Sequence, residues 1–169
     1  RRSLGCAALL MACALSGCAI VDSQQRHWIF QPGQRTWAGG AQAAEGMNDV
    51  WIDFTSAEEQ QPVQLHGLWL PQADTGAPVM LYLHGARWDV ASSAPRMRGM
   101  HALGFSVLGI DYRGFGKSTE ALPSEDLMHE DALAAWQWLA QQRPQAARYL
   151  FGHSLGASIA VRVASETGA

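Results

Sequence analysis

Two runs of strand length, VMLYL (79–83) and FSVLGI (105–110), are apolar almost throughout instead of alternating. A strand with no polar face has to be covered on both faces, which is the position of strands in a parallel sheet flanked by helices. RYLF (148–151) reads as a further strand of that sheet, and a helical pattern follows each run. The first helix lies near 93–103 and ends at Gly104. The second, within 124–142, opens on Ser124 as N-cap with Glu125 and Asp126 in its first turn. Its spacing puts Leu133, Trp136, Leu139 and Ala140 on one face. The third begins in LGASIAVRVASE.

Upstream, DVWIDFT (49–55) alternates as a strand, and VQLHGLWL (63–70) reads as its neighbour across a turn at 58–62. The fold class this predicts is α/β, a mostly parallel sheet with helices on both faces. Ligands of such sheets bind at the carboxyl ends of the strands. The polar segments after 83, 110 and 151 all lie at that edge.

Composition limits the partners. The chain has 169 residues, 48% apolar and 16% charged, which suits one globular domain with a sizeable core. The net charge is −3 and no Lys/Arg cluster occurs beyond the N-terminus, so the electrostatic footprint of a nucleic-acid binder is missing. No His/Cys/Asp group has metal-ligand spacing, and neither metal nor cofactor is expected.

Gly152-His153-Ser154-Leu155-Gly156 carries the chemistry. It fits G-x-S-x-G between a strand and a helix. The strand must turn into the helix within a few residues, and side chains two positions either side of the serine would collide there. Ser154 is the expected nucleophile. The backbone N–H of Leu155 is one expected oxyanion donor, and Ala86 supplies the second, with Arg87 its nearest competitor. Gly85 lets the backbone turn toward the site. His84, at the end of its strand, suits loop bracing better than proton transfer. His153 and Gly114 belong to the same edge as structural residues.

Asp111-Tyr112-Arg113-Gly114-Phe115-Gly116-Lys117-Ser118 follows the second apolar run. A phosphate loop needs glycine where Asp111 stands, so that reading fails. Asp111 and Arg113 are expected instead as internal hydrogen-bonding groups beneath the pocket.

In this order and spacing, YLHGA, DYRGFGKS and GHSLG resemble the α/β-hydrolase superfamily, closest to its serine-aminopeptidase-like and Bem46-like branch, over about residues 49–169. The resemblance implies Ser154 as nucleophile, with the Ala86 and Leu155 amides as the oxyanion hole. Many relatives carry Asn where Ala86 stands, so only a backbone role carries over. It also implies the chain order serine, acid, histidine. Beyond Ser154 the only acid is Glu166 and no histidine follows. The chain is therefore expected to be the N-terminal part of the fold, strands 1–5. About 80 to 130 residues, with three strands, the acid and the base, would be missing, leaving it inactive as it stands.

The N-terminus reads as an address. Arg1 and Arg2 precede a short apolar stretch, in the order of a secretory signal. Leu15-Ser16-Gly17-Cys18 resembles the lipobox of bacterial lipoproteins, which implies cleavage before Cys18 and acylation of its thiol. Cleavage there removes Cys6 and Cys13 and leaves no free thiol in the mature domain. The expected organisation is a signal peptide at 1–17, a lipidated tether at 18–46 that drapes over the domain, and the hydrolase part at 47–169. In the tether, Trp28, Phe30 and Trp37 are expected as packing anchors.

The functional expectation is a serine hydrolase on the bacterial cell envelope, at the periplasmic face of a membrane. It would be anchored through Cys18 and act on an ester, thioester or peptide-type carbonyl of a small-molecule or peptide acyl substrate through an acyl-enzyme. The competing expectation is a non-catalytic pseudo-hydrolase, an envelope interaction lipoprotein. Acyl transfer to an acceptor other than water is a third.

Overall fold

The structure, a computed structural model, describes residues 21–169. The segment expected as a signal peptide, 1–17, and Cys18 lie outside the described residues.

Five strands form one sheet: β1 (Asn48–Thr55), β2 (Pro62–Leu70), β3 (Val79–Leu83), β4 (Ser106–Ile110) and β5 (Arg148–Gly152), in the order β1-β2-β4-β3-β5. The pairings β1–β2 and β2–β4 are antiparallel, while β4–β3 and β3–β5 are parallel. The sheet is thus mixed, not mostly parallel. The N-terminal hairpin forms one half, because the short turn after β1 permits only an antiparallel return. Every residue of β3 and β4 is buried, as their apolar runs require.

Side chains alternate across these strands. Val79, Leu81, Leu83, Leu108 and Ile110 join one core with Met128, Ala132, Ala135, Trp136 and Leu139 of α4 (Glu125–Gln142) and Ile159 and Val163 of α5 (Leu155–Thr167). Tyr82 and Val107 face the other way, onto Met97 of α3 (Ala94–Ala102) and Val90 of a 3₁₀ turn, Val90–Ser93. Each fully covered aliphatic side chain contributes about 1.5–3 kcal/mol. Ser124 caps α4, its Oγ accepting from Leu127 N at 3.2 Å. The α4 stripe falls on residues 128, 132, 135, 136 and 139. Leu133 and Ala140 are half-buried beside it.

Residues 21–46 are more ordered than a tether. Residues 21–30 form a helix, α1, and Ala38–Ala44 form α2. Phe30 is buried in the main core, whereas Trp28 and Trp37 are exposed and lie outside both buried clusters. The stretch between the helices runs along two loops of the domain. Gly33 bridges to Phe115, and the N–H of Asp89 donates to the Arg35 carbonyl at 3.1 Å.

Candidate active site

Parallel register brings the three motifs together. Leu83 pairs with Ile110 on one side and with Gly152 on the other, so the chain leaves all three strands at the same edge. His84, Asp111 and His153 are the next residues along each.

The turn after β5 is as tight as its sequence demands. Ser154 sits at φ 54°, ψ −120°, a region that a residue with a side chain rarely adopts and that costs about 1–3 kcal/mol. The contacts around it show why both glycines are needed. A Cβ on Gly152 would come within 2.2 Å of the Gly156 carbonyl oxygen, and one on Gly156 within 2.2 Å of that of Leu83. Neither neighbour can yield, because both are backbone. The N–H of His153 donates to the Leu83 carbonyl at 3.0 Å and ties the turn to β3. Ser154 is exposed, and its Oγ has no hydrogen-bond partner among the described residues.

Strain is concentrated here. Gln31 (φ 49°), Arg87 (φ 81°) and Ser154 share the left-handed half of φ space, and all three line one cavity of about 330 Å³. The only other such non-glycine among the described residues is Gln60, in the β1–β2 turn. Gly85 forms the floor, where a Cβ would stand 3.2 Å from that of Ser154. The N–H of Arg87 is engaged, donating to the Phe30 carbonyl at 3.0 Å, while that of Ala86 meets no acceptor among the described residues. Between the two candidates for the second oxyanion donor, the geometry favours Ala86. Leu155 opens α5, so its N–H belongs to the positive end of that helix.

His84 is buried under the site. Its Nδ1 donates to the Gly85 carbonyl at 2.6 Å, and its ring packs against Tyr112 and Phe115. Burial lowers its pKa and keeps the imidazole neutral. No histidine among the described residues hydrogen-bonds Ser154. His129 is buried on α4, 3.0 Å from Glu166 of α5, and His101 lies by the Pro71 carbonyl. Among the described residues no group of side chains is suited to hold a metal ion.

Asp111 and Arg113 brace the loops from below, with separate partners. One Asp111 oxygen accepts from Val90 N at 2.6 Å, the other from His66 Nδ1 at 2.8 Å. Arg113 is buried, its Nε donating to Asp131 at 2.8 Å. Its Nη groups reach Ser56, Glu59, the Leu127 carbonyl and Glu130. Burial disfavours its charge, but Asp131 and Glu130 outweigh that and hold its pKa above the ordinary arginine value. Gly114 pairs through its backbone with Gly33 and Thr119.

His66 was missed in the sequence. It is buried on β2 between two carboxylates, Asp111 at 2.8 Å and Asp49 at 2.6 Å, with Lys117 also on Asp49 at 3.0 Å. The only signal was a histidine within an apolar strand; its partners lie 45 and 17 residues away in the chain. Burial pulls the His66 pKa down, but the hydrogen bonds to Asp111 and Asp49 prevail and leave it above 6.5. A raised histidine pKa gives stability that is complete below the unfolded value and is lost as pH rises through the folded one. Urea unfolding of the intact protein should therefore show stability declining above pH 6.5, by at most about 1.4 kcal/mol per pH unit. His66→Gln should abolish that part of the profile. An unchanged slope in the variant would remove His66 from this role.

A mixed sheet with a strained strand–serine–helix turn at its carboxyl edge, facing a loop with an open amide, defines an α/β-hydrolase. The comparisons agree. Residues 76–169 match the model of the family described as serine aminopeptidase, S33, and the chain belongs to that family. It is 34% identical to an uncharacterized protein of Mycobacterium tuberculosis, over 98% of this chain and 58% of that one. It is 32% identical to the lysophosphatidylserine lipase ABHD12 of Danio rerio, over 72% of this chain and 33% of the lipase. The esterase Pf2001 of Pyrococcus furiosus superimposes with a TM-score of 0.63 at 26% identity, covering 81% of this chain and 53% of the esterase. The chain thus spans between a third and about three-fifths of the length of these relatives.

Proposed function

We propose that the intact protein is a serine hydrolase that cleaves acyl esters through a covalent acyl-enzyme. The observation that carries this is the backbone of Ser154, φ 54° and ψ −120°, with its hydroxyl free and exposed at the strand edge. Strain of this kind persists only where the surroundings enforce it.

In the proposed reaction Ser154 Oγ attacks the substrate carbonyl carbon and its proton passes to a histidine base. The carbonyl oxygen becomes an oxyanion held by the N–H groups of Ala86 and Leu155. As the carbonyl re-forms, the bond to the alcohol oxygen breaks and the alcohol leaves with the proton. Water then attacks the acyl-serine in the same way, releasing the acid and restoring Ser154. We place the base and its acid in the remaining part of the intact protein, since this chain spans 58% of the mycobacterial relative's length. Esters are favoured over peptides because a lipase and an esterase are among the similar proteins named for an activity, although the matched family is described by a peptidase. We also propose that acylated Cys18 holds the enzyme on the bacterial envelope; labelling with radioactive palmitate, lost in Cys18→Ala, tests this.

Pre-steady-state kinetics test the reaction. With excess para-nitrophenyl butyrate, the intact protein should release about one equivalent of nitrophenol in a burst before a slower steady rate. No turnover of esters, thioesters or peptides would overturn the reading.

A further inference from the structure

We propose that the cavity over Ser154 selects acyl esters bearing an anionic group, a phosphate or a carboxylate, which Arg87 and Arg96 bind beside the scissile carbonyl. This rests on the hydrolase reading and adds a substrate class to it.

Among the described residues, the cavity is lined by Arg87 and Arg96, with His84 and His153 as its other titratable groups and no carboxylate. His84, which also lines it, is held neutral by burial. The acid nearest in sequence, Asp89, is already committed. Its carboxylate accepts from the Thr36 hydroxyl and from Ser92, and it faces a different cavity. Among the described residues, two cations thus line a concave site about the nucleophile with no carboxylate beside them. A neutral ester gives them nothing to bind, whereas an anionic one neutralises them.

The arginines are prepared for that task in different ways. Arg87 is fixed at both ends: its N–H donates to the Phe30 carbonyl, and its Nε to Gln31 Oε1 at 3.0 Å. Its two Nη groups have no acceptor among the described residues. That leaves the outer edge of a positioned guanidinium, which matches two oxygens of a phosphate or carboxylate. It stands at a strained φ of 81° and lines the cavity. Arg96, exposed on α3, has no ion pair or hydrogen bond among the described residues. An isolated surface cation binds an anion weakly, but two that line the same concave site add their fields.

The test uses two matched pairs of esters on the intact protein. Para-nitrophenyl hemisuccinate against para-nitrophenyl butyrate places the anion on the acyl side of a soluble ester. Lysophosphatidylglycerol against monoacylglycerol places it on the alcohol side of a lipid. The anionic member of at least one pair should have the higher kcat/KM, by about tenfold or more, and that pair identifies the source of the anion. Arg87→Gln with Arg96→Gln should lower the anionic-to-neutral ratio by about tenfold, chiefly through KM. Arg162→Gln, which lies outside the cavity lining and pairs with Asp126, should leave the ratio unchanged. Arg96→Gln alone, at an exposed and unpartnered position, keeps the test valid if the double variant does not fold. A neutral preference in both pairs, or a ratio unmoved by the arginine variants, would overturn the inference and leave the hydrolase reading standing. Failure to turn over any of the four esters, with no burst, would instead sink the hydrolase reading and this inference with it.

Discussion

Ser154→Ala in the intact protein is expected to reduce kcat by about 10⁴-fold or more toward every acyl substrate while leaving the fold in place. The two halves of this result have separate causes. The hydroxyl is the only group at the turn able to form the acyl bond, and the residual oxyanion amides cannot replace it. Yet Oγ makes no hydrogen bond among the described residues, and the side chain is exposed, so its loss removes no native contact. Alanine meets the same positive φ as serine, with no added strain. Urea midpoints of the two proteins should coincide. A fall of less than tenfold in kcat with an intact fold would show that another residue carries the chemistry.

The second large effect concerns stability. Arg113→Ala should destabilise the protein by about 3–5 kcal/mol, seen as a lower urea midpoint with an unchanged slope. That is a large share of the roughly 5–15 kcal/mol that holds a domain folded. Arg113 joins three pieces of chain: the loop after β4, the start of α4 through Asp131 and Glu130, and the β1–β2 turn through Ser56 and Glu59. Its backbone N–H adds another bond to Asp131, at 2.8 Å. Removing the guanidinium strands the Asp131 carboxylate, which is fully buried. The double variant Arg113→Ala, Asp131→Ala should be less destabilised than the sum of the two single changes, since neither charge is then left alone. Simple additivity would show that the pair does not act as a unit.

Legibility in the sequence followed the range of the interactions. VMLYL and, apart from the half-buried Phe105 just before β4, FSVLGI are buried along their whole length, and continuous apolar runs report that directly. The Ser124 cap and the turn at Ser154 are local as well, and both were placed to the residue. The hairpin half of the sheet was visible as strands, but the antiparallel pairing of β2 with β4 was not, because strand order is not written in periodicity. The helix α2 was hidden for a physical reason. Its sequence, AGGAQAA, has two glycines and no apolar stripe, which reads as a loop. Gly40 is there because a Cβ would stand 2.6 Å from the Ser92 backbone, so the helix packs where a larger residue could not. His66 and Arg113 depend on partners scattered over the chain, and only the fold brings those together. The same holds for Phe30, whose carbonyl occupies the Arg87 amide and so singles out Ala86.

The central claim is that Ser154 is a nucleophile presented by a strained turn. Treatment of the intact protein with a fluorophosphonate, followed by proteolysis and mass spectrometry, tests it at one atom. The account predicts a single phosphonyl adduct on Ser154, lost when the protein is unfolded beforehand. An adduct on another residue, or none on a folded and catalytically active protein, would contradict it.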